Sequence, residues 1–193
     1  MKVITLLFIF SFGWGIVYGQ TNERSRSETT LERITIQYKG KERKGVKISV
    51  TTLFPYTIEK FWEAEQLIEH TKMVTQPMTK LQVIQAPQSP YFIEDSTYIL
   101  KPLSYGLFPI GGEHTIYIEE INHDEYYIQT REYNTIARVW DHRLSWEESD
   151  GNQVIYTDTI ELYAGVMTPI FALYLRSFYK MRHKNWYALL KKL

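Results

Sequence analysis

The end of the chain constrains the fold more than any other feature. From Pro169 to Leu193 there is no glycine and no further proline, whereas much of the chain from Pro77 to Tyr163 alternates with a period of two. Those last residues, about 25 of them at 1.5 Å each, make a helix of about 37 Å, as long as a small domain is wide. Thr168 is the expected N-cap, and Pro169 takes the first helical position. Ile170, Tyr174, Ser177-Phe178, Met181, Asn185 and Ala188-Leu189 recur at helical spacing and read as the packed stripe. Lys180, Arg182, Lys184, Lys191 and Lys192 read as a solvated complement to the helix dipole.

Ahead of that helix, Leu31 to Tyr38 alternates as a possible strand, and Lys39 to Gly45 reads as a charged turn. Val46 to Phe54 is β-branched and alternating, with Val46, Ile48, Val50 and Thr52 on one face, and Pro55 stops it. Thr57 then caps a short helix to about His70, with Phe61 and Trp62 in the core. Further strands follow around Leu81-Val83, over Thr97–Lys101 (ended by Pro102), and over 115–121, 126–133, 137–147 and 153–163. Turn signals stand at Asn122–Glu125 and Ser149–Asn152. The pattern predicts an α+β fold: a curved antiparallel sheet of about six to seven strands wrapped on a long C-terminal helix, with a short helix after the first clear strand. A curved sheet gripping a helix leaves a cavity between them.

The chain has 193 residues, 22 basic and 22 acidic, and no cysteine. Neutrality argues against a nucleic-acid partner. The missing cysteines exclude disulfides, thiolate metal sites and cysteine nucleophiles. No HExxH, GxSxG or phosphate-loop pattern is present, so no cofactor and no metal is expected; Gly111-Gly112 reads as a turn. Aromatic residues reach 15%, which suits both a core and the wall of an apolar cavity. Lys2, the apolar run Val3–Tyr18 and Val17-Tyr18-Gly19 make residues 1–19 a secretory signal peptide cleaved before Gln20. The alternative is an uncleaved membrane anchor. Residues 20–30 read as a flexible leader and 31–193 as one domain. Cleavage leaves an exported protein, periplasmic or secreted, with no stable membrane insertion.

Alternation sorts the polar side chains. Arg138, Trp140, His142, Leu144 and Trp146 share one strand face; Val154, Tyr156, Asp158, Ile160 and Leu162 share the matching face of the next. Across the hairpin at Asp150-Gly151, His142 and Asp158 fall near-opposite or diagonal. His114 shares a face with Ile116 and Ile118. Arg131 reads as outward, and His70 and His123 as surface residues. His183 sits on the side of the long helix that edges the cavity.

Several segments carry a family resemblance: ISVTTLFPYTIEKFW from Ile48, YGLFPIGGEHTIYIEEI from Tyr105, RVWDHRLSWEE from Arg138, VIYTDTIEL from Val154 and KMRHKNWYALL from Lys180. Within them Trp140-x-His142, Thr157-Asp158 and Arg182-His183 stand out. From Val46 to Leu193 the chain resembles the START/Bet v 1-like (SRPBCC, helix-grip) superfamily, in particular its bacterial SRPBCC-type members. The resemblance implies a fold rather than a reaction, because the superfamily spans lipid carriers, hormone receptors, cyclases and co-chaperones.

The expected function is binding of a hydrophobic or amphipathic small molecule, lipid-like or aromatic, as an exported carrier or sensor. Trp140, His142, Asp158, His114, Trp146, Tyr156 and His183 are the candidate ligand-binding residues. One alternative is a cyclase or dehydratase in which His142 and Asp158 act as an acid/base pair; against both stands a purely structural His–Asp pair that fixes strand register. A second alternative is a membrane-surface interaction protein using the basic half of the last helix. The sequence points to no particular protein partner.

Overall fold

The computed structural model describes residues 27–193. The segment expected to be a signal peptide, residues 1–19, and most of the expected leader lie outside the described residues. β1 (Glu28–Tyr38) and β2 (Lys41–Phe54) form an antiparallel hairpin paired along its whole length, Glu28 against Thr51 through Tyr38 against Lys41. The loop is Lys39-Gly40, with φ of +52° and +68°, the left-handed pair that matches strand twist in a two-residue turn. The charged turn expected at Lys39–Gly45 is therefore only two residues long. Lys41–Lys44 are strand, because Thr35–Tyr38 of β1 supply their partners. Glu28–Thr30, assigned to the leader, are strand as well because β2 supplies their partners.

The expected first helix is two: α1 (Ile58–Glu65) and α2 (Ile68–Val74). Thr57 caps α1, accepting from the Lys60 amide. The break falls where Leu67 bridges to Tyr91 and the Ile68 amide donates to the Pro90 carbonyl instead of continuing the helix. β3 (Thr79–Gln85), β4 (Ser96–Ser104), β5 (Phe108–Pro109), β6 (His114–Asn122), β7 (Tyr127–Tyr133), β8 (Val139–Ser149) and β9 (Gln153–Tyr163) follow. β4 runs through Pro102 rather than ending there. β6 pairs only with Ser96–Leu100, so the missing proline N–H falls beyond that partner, and the Pro102 carbonyl accepts from Ile110.

The strands form one antiparallel sheet in the order β1-β2-β9-β8-β7-β6-β4-β3, with β5 on β4. α3 (Thr168–Leu190) lies across its inner face. Thr168 is the first helical residue and Met167 the N-cap; the Thr168 hydroxyl donates to the Gly165 carbonyl and accepts from the Ala164 amide. The buried face of α3 shares only Phe178 with the expected stripe. It runs Phe171, Leu175, Phe178-Tyr179, Arg182-His183, Trp186 and Leu190, while Ile170 is 64% exposed. Following apolar residues alone misplaced the stripe, because two of its central members are charged or polar.

α3 packs chiefly on β2, next to β9, where side chains fill the interface. Gly45 lies on the opposite face of β2, between β1 and β9: a Cβ there would sit 2.3 Å from Ile36 Cδ1 and 2.9 Å from the Leu162 carbonyl oxygen. Because the second of these is backbone and cannot rotate away, Gly45→Ala should destabilise the protein by about 1–3 kcal/mol. Chemical denaturation measures this; an unchanged midpoint would show that the β1–β2 hairpin shifts freely.

Candidate functional site

Between α3 and the β3–β8 half of the sheet lies a cavity of about 120 Å³. Its wall is mostly apolar, including Leu100, Ile118, Ile128, Leu144, Phe171 and Phe178. The asymmetry has a simple origin. The helix presses on β2 and β9, and the sheet curves away from it toward β3. Among the described residues, none from β1, β2 or β9 lines the cavity.

A buried polar network forms one side. Asp158, fully buried on β9, is its centre. Its Oδ1 accepts from His142 Nε2, from the Tyr156 hydroxyl and from Arg182 Nη1, each at 2.8 Å. His183 Nε2 lies 2.9 Å from Oδ2, and the Thr52 hydroxyl lies 2.8 Å from the other His183 nitrogen. His142 reaches the other way, with Nδ1 3.2 Å from Glu132 Oε1, and the remaining Glu132 oxygen lies 2.7 Å from His114 Nε2. Thr130 donates to Glu132 at 2.7 Å. Arg182 also donates to Glu65 Oε1 on α1. The chain His114–Glu132–His142–Asp158–His183 thus crosses the sheet from β6 to α3.

Burial alone would raise both acids at the centre of this chain. For Asp158 the Arg182 guanidinium and the two histidines outweigh it and hold the carboxyl well below its ordinary range. For Glu132 the hydrogen bonds from His114 and His142 do the same. Burial opposes charge on His142, but bonding to Asp158 and Glu132 pushes its pKa up. His183 goes down, because burial prevails over its single carboxylate. Glu65 is the exception among the acids: burial raises it to about 8 against the pull of Arg182, a cation that Asp158 also shares.

The expected site residues divide. His114, Trp140 and His142 line the cavity. His142 and Asp158 are diagonal neighbours, as His142 faces Ile160 and Leu144 faces Asp158 across the β8–β9 ladder. Asp158 does not line the cavity, and neither do Tyr156, Trp146 and His183. Trp146 and Tyr156 are packed with Phe54, Phe61 and Trp186 in the aromatic core beside it. His183 packs against Tyr156, with ring centres 4.8 Å apart and the planes tilted by 41°, instead of edging the cavity. Arg138 precedes β8 and is exposed, so it leaves the face assigned to it. Arg182 is buried and bridges two acids, where a solvated residue was expected.

Glu65 and Glu132 were not foreseen. Glu132 pairs with Trp140 in the β7–β8 ladder and is diagonal to His142. The hairpin arithmetic that joined His142 to Asp158 would have found it. Glu65 falls four residues after Phe61 and three after Trp62, on the face those two bury.

Both His142 nitrogens are engaged within the protein, so neither is free to take a proton from a ligand. Among the described residues no set of His, Asp or Glu is placed to hold a metal ion, and no helix is long and apolar enough to cross a membrane.

No protein-family model matches the sequence, and no curated protein sequence is similar to it. Solved structures are similar in fold. A START superfamily protein from Mycobacterium smegmatis superposes with a TM-score of 0.57 at 8% identity, covering 76% of this chain and 97% of that one. Ara h 8.0201 gives 0.54 at 8% identity, covering 87% and 100%. CalU16 from Micromonospora echinospora gives 0.51 at 13% identity, covering 86% and 99%. These likenesses, with the sheet order and the gripped C-terminal helix, give the chain the helix-grip fold of the START/Bet v 1-like superfamily.

Proposed function

We propose that this protein binds a compact, largely apolar small molecule in the cavity between α3 and the β3–β8 half of the sheet, as an exported carrier or sensor. The observation that carries this is the unfilled apolar space in an otherwise densely packed interior. Fold resemblance to START and Bet v 1-like proteins supports it. The size of the space narrows the ligand. At about 120 Å³ it suits one ring or a short branched chain, somewhat less than the 150 Å³ cavity that holds benzene. A long acyl chain fits only if α3 or the β3–β5 edge moves outward.

A ring burying about 150 Å² of apolar area gains about 4 kcal/mol, which corresponds to a Kd of about 1 mM. Toluene titrated into protein with labelled Ile and Leu methyls should therefore shift Leu100, Ile118, Ile128 and Leu144 and alter Trp140 emission. Exposed Leu53 and Ile84 should stay fixed. Leu144→Trp, which fills the space, should weaken toluene at least ten-fold. Shifts confined to surface methyls, or undiminished binding by that variant, would contradict the proposal.

The export reading rests on Lys2 and the apolar run to Tyr18. Intact mass of the exported product should correspond to a chain beginning at Gln20. A full-length product integrated in the membrane would contradict cleavage.

A further inference from the structure

Three buried acids, Glu65, Glu132 and Asp158, stand around this cavity and its polar side. Arg182 and a protonated His142 match two of them. Asp158 takes hydrogen bonds from both cations, and Glu132 takes one from His142 and touches His114. Glu65 is the acid left over. It is 1% exposed, it lines the cavity, and its Oε1 accepts from Arg182 while its Oε2 has no hydrogen-bond partner. The Thr71 hydroxyl on α2 lines the same cavity and is also unpartnered. A buried polar atom without a partner costs about 1–3 kcal/mol, a cost that a ligand atom can remove.

We propose that Glu65 is the polar anchor of the cavity, donating a hydrogen bond from Oε2 to a neutral acceptor oxygen, of ketone, lactone or amide type, on a compact apolar ligand. This inference rests on the cavity being the binding site. The division of labour within the carboxyl group is chemical. Oε1 serves as the acceptor for Arg182, so the proton resides on Oε2. A ligand carboxylate would add a third negative charge, beside Glu132 and Asp158, to a dry site, which is unfavourable. A ligand ammonium would require Glu65 to ionise first, against its burial. A neutral carbonyl asks for neither change.

The groups facing Glu65 are Arg182 from α3, Asp158 and Tyr156 from β9, and His142 from β8. From α2 come Thr71 and His70, whose Nδ1 lies 2.8 Å from the Ala64 carbonyl oxygen. A pH effect on binding must therefore be assigned with a variant that removes only the Glu65 proton.

The test compares cyclohexanone, cyclohexylamine and cyclopentanecarboxylate, which are close in size and differ in the polar end. Binding is followed by methyl NMR at pH 6.5 and pH 9. At pH 6.5 cyclohexanone should bind about ten-fold more tightly than either charged compound. At pH 9, above the value of about 8 for Glu65, its affinity should fall about ten-fold while that of cyclohexylamine rises. Glu65→Gln keeps a donor and an acceptor, so it should hold cyclohexanone with an affinity that does not change between the two pH values. A preference for the amine or the carboxylate at pH 6.5, or a ketone affinity that is pH-independent in the parent protein, overturns the anchor. If toluene binds and the ketone gains nothing over it, the cavity reading stands and the role of Glu65 falls. If none of the compounds, toluene included, moves a cavity methyl, both fall.

Discussion

Asp158→Ala should destabilise the protein by about 3–5 kcal/mol, more than any other single truncation in the polar network. The substitution removes the acceptor of four hydrogen bonds and leaves Arg182 buried with Glu65 as its sole acidic partner. The parent carries this stabilisation only while Asp158 is ionised in the fold. Its folded-state pKa is depressed, so the contribution is present above the unfolded value of about 4 and is lost as pH falls toward the folded one. Glu132 acts in the same direction. His183, whose pKa is lowered, gives up stability as pH falls through the unfolded histidine value of about 6.5. Urea denaturation at pH 7 and pH 3 measures both effects. The variant should show the large loss at pH 7 and a loss smaller by about 1 kcal/mol at pH 3, one pH unit below the unfolded value. A cost below about 1 kcal/mol at pH 7 would mean that water or neighbouring groups readily replace Asp158.

Glu65→Gln should do the reverse and stabilise the protein at neutral to alkaline pH. Glu65 has its pKa raised to about 8 by burial. Its contribution is complete below the unfolded value of about 4.5 and is lost as pH climbs toward 8, because the unfolded chain ionises freely and the folded one does not. At 1.36 kcal/mol per pH unit, the penalty by pH 7 is on the order of 3 kcal/mol. Glutamine keeps the acceptor for Arg182 and cannot ionise. The variant should therefore exceed the parent by about 2–3 kcal/mol at pH 7, with the gap closing near pH 4. Equal stabilities across that range would mean that Glu65 is ionised in the fold and paired with Arg182.

These two acids mark the boundary of what the sequence reveals. Strand periodicity and turn residues are local signals, so the β8–β9 hairpin, its faces and the diagonal pairing of His142 with Asp158 could be read directly. The unbroken run from Pro169 gave α3 for the same reason. The pairing of β2 with β9 is different, because those strands lie far apart in sequence and no turn links them. That pairing seats β2 under α3 and so decides which half of the sheet is covered and which half borders a cavity. Trp140 and Trp146 share β8 and are separated by α1, whose Phe61 and Trp62 pack on Trp146, a contact that is equally distant in sequence.

The polar network was half visible. His142 and Asp158 advertise themselves by sitting on an aromatic strand face. Arg182 and Glu65 do not, since a charged residue on a helix ordinarily faces water. Only their spacing from Phe178, Trp186, Phe61 and Trp62 gives them away. The network also changes the meaning of the His–Asp pair. Both ring nitrogens of His142 are committed within the protein, and the unpartnered polar atoms on the cavity wall belong to Glu65, Thr71 and Trp140.

The central claim, that the space between α3 and the β3–β8 half of the sheet accepts a ligand, is tested most directly by a crystal structure under xenon pressure. Xenon is apolar and small enough to enter the free space, so it reports the cavity without depending on any polar contact. The account predicts xenon in contact with Ile118, Ile128, Leu144 and Phe178. Crystals that take up no xenon there, with those side chains closed on one another, would contradict it.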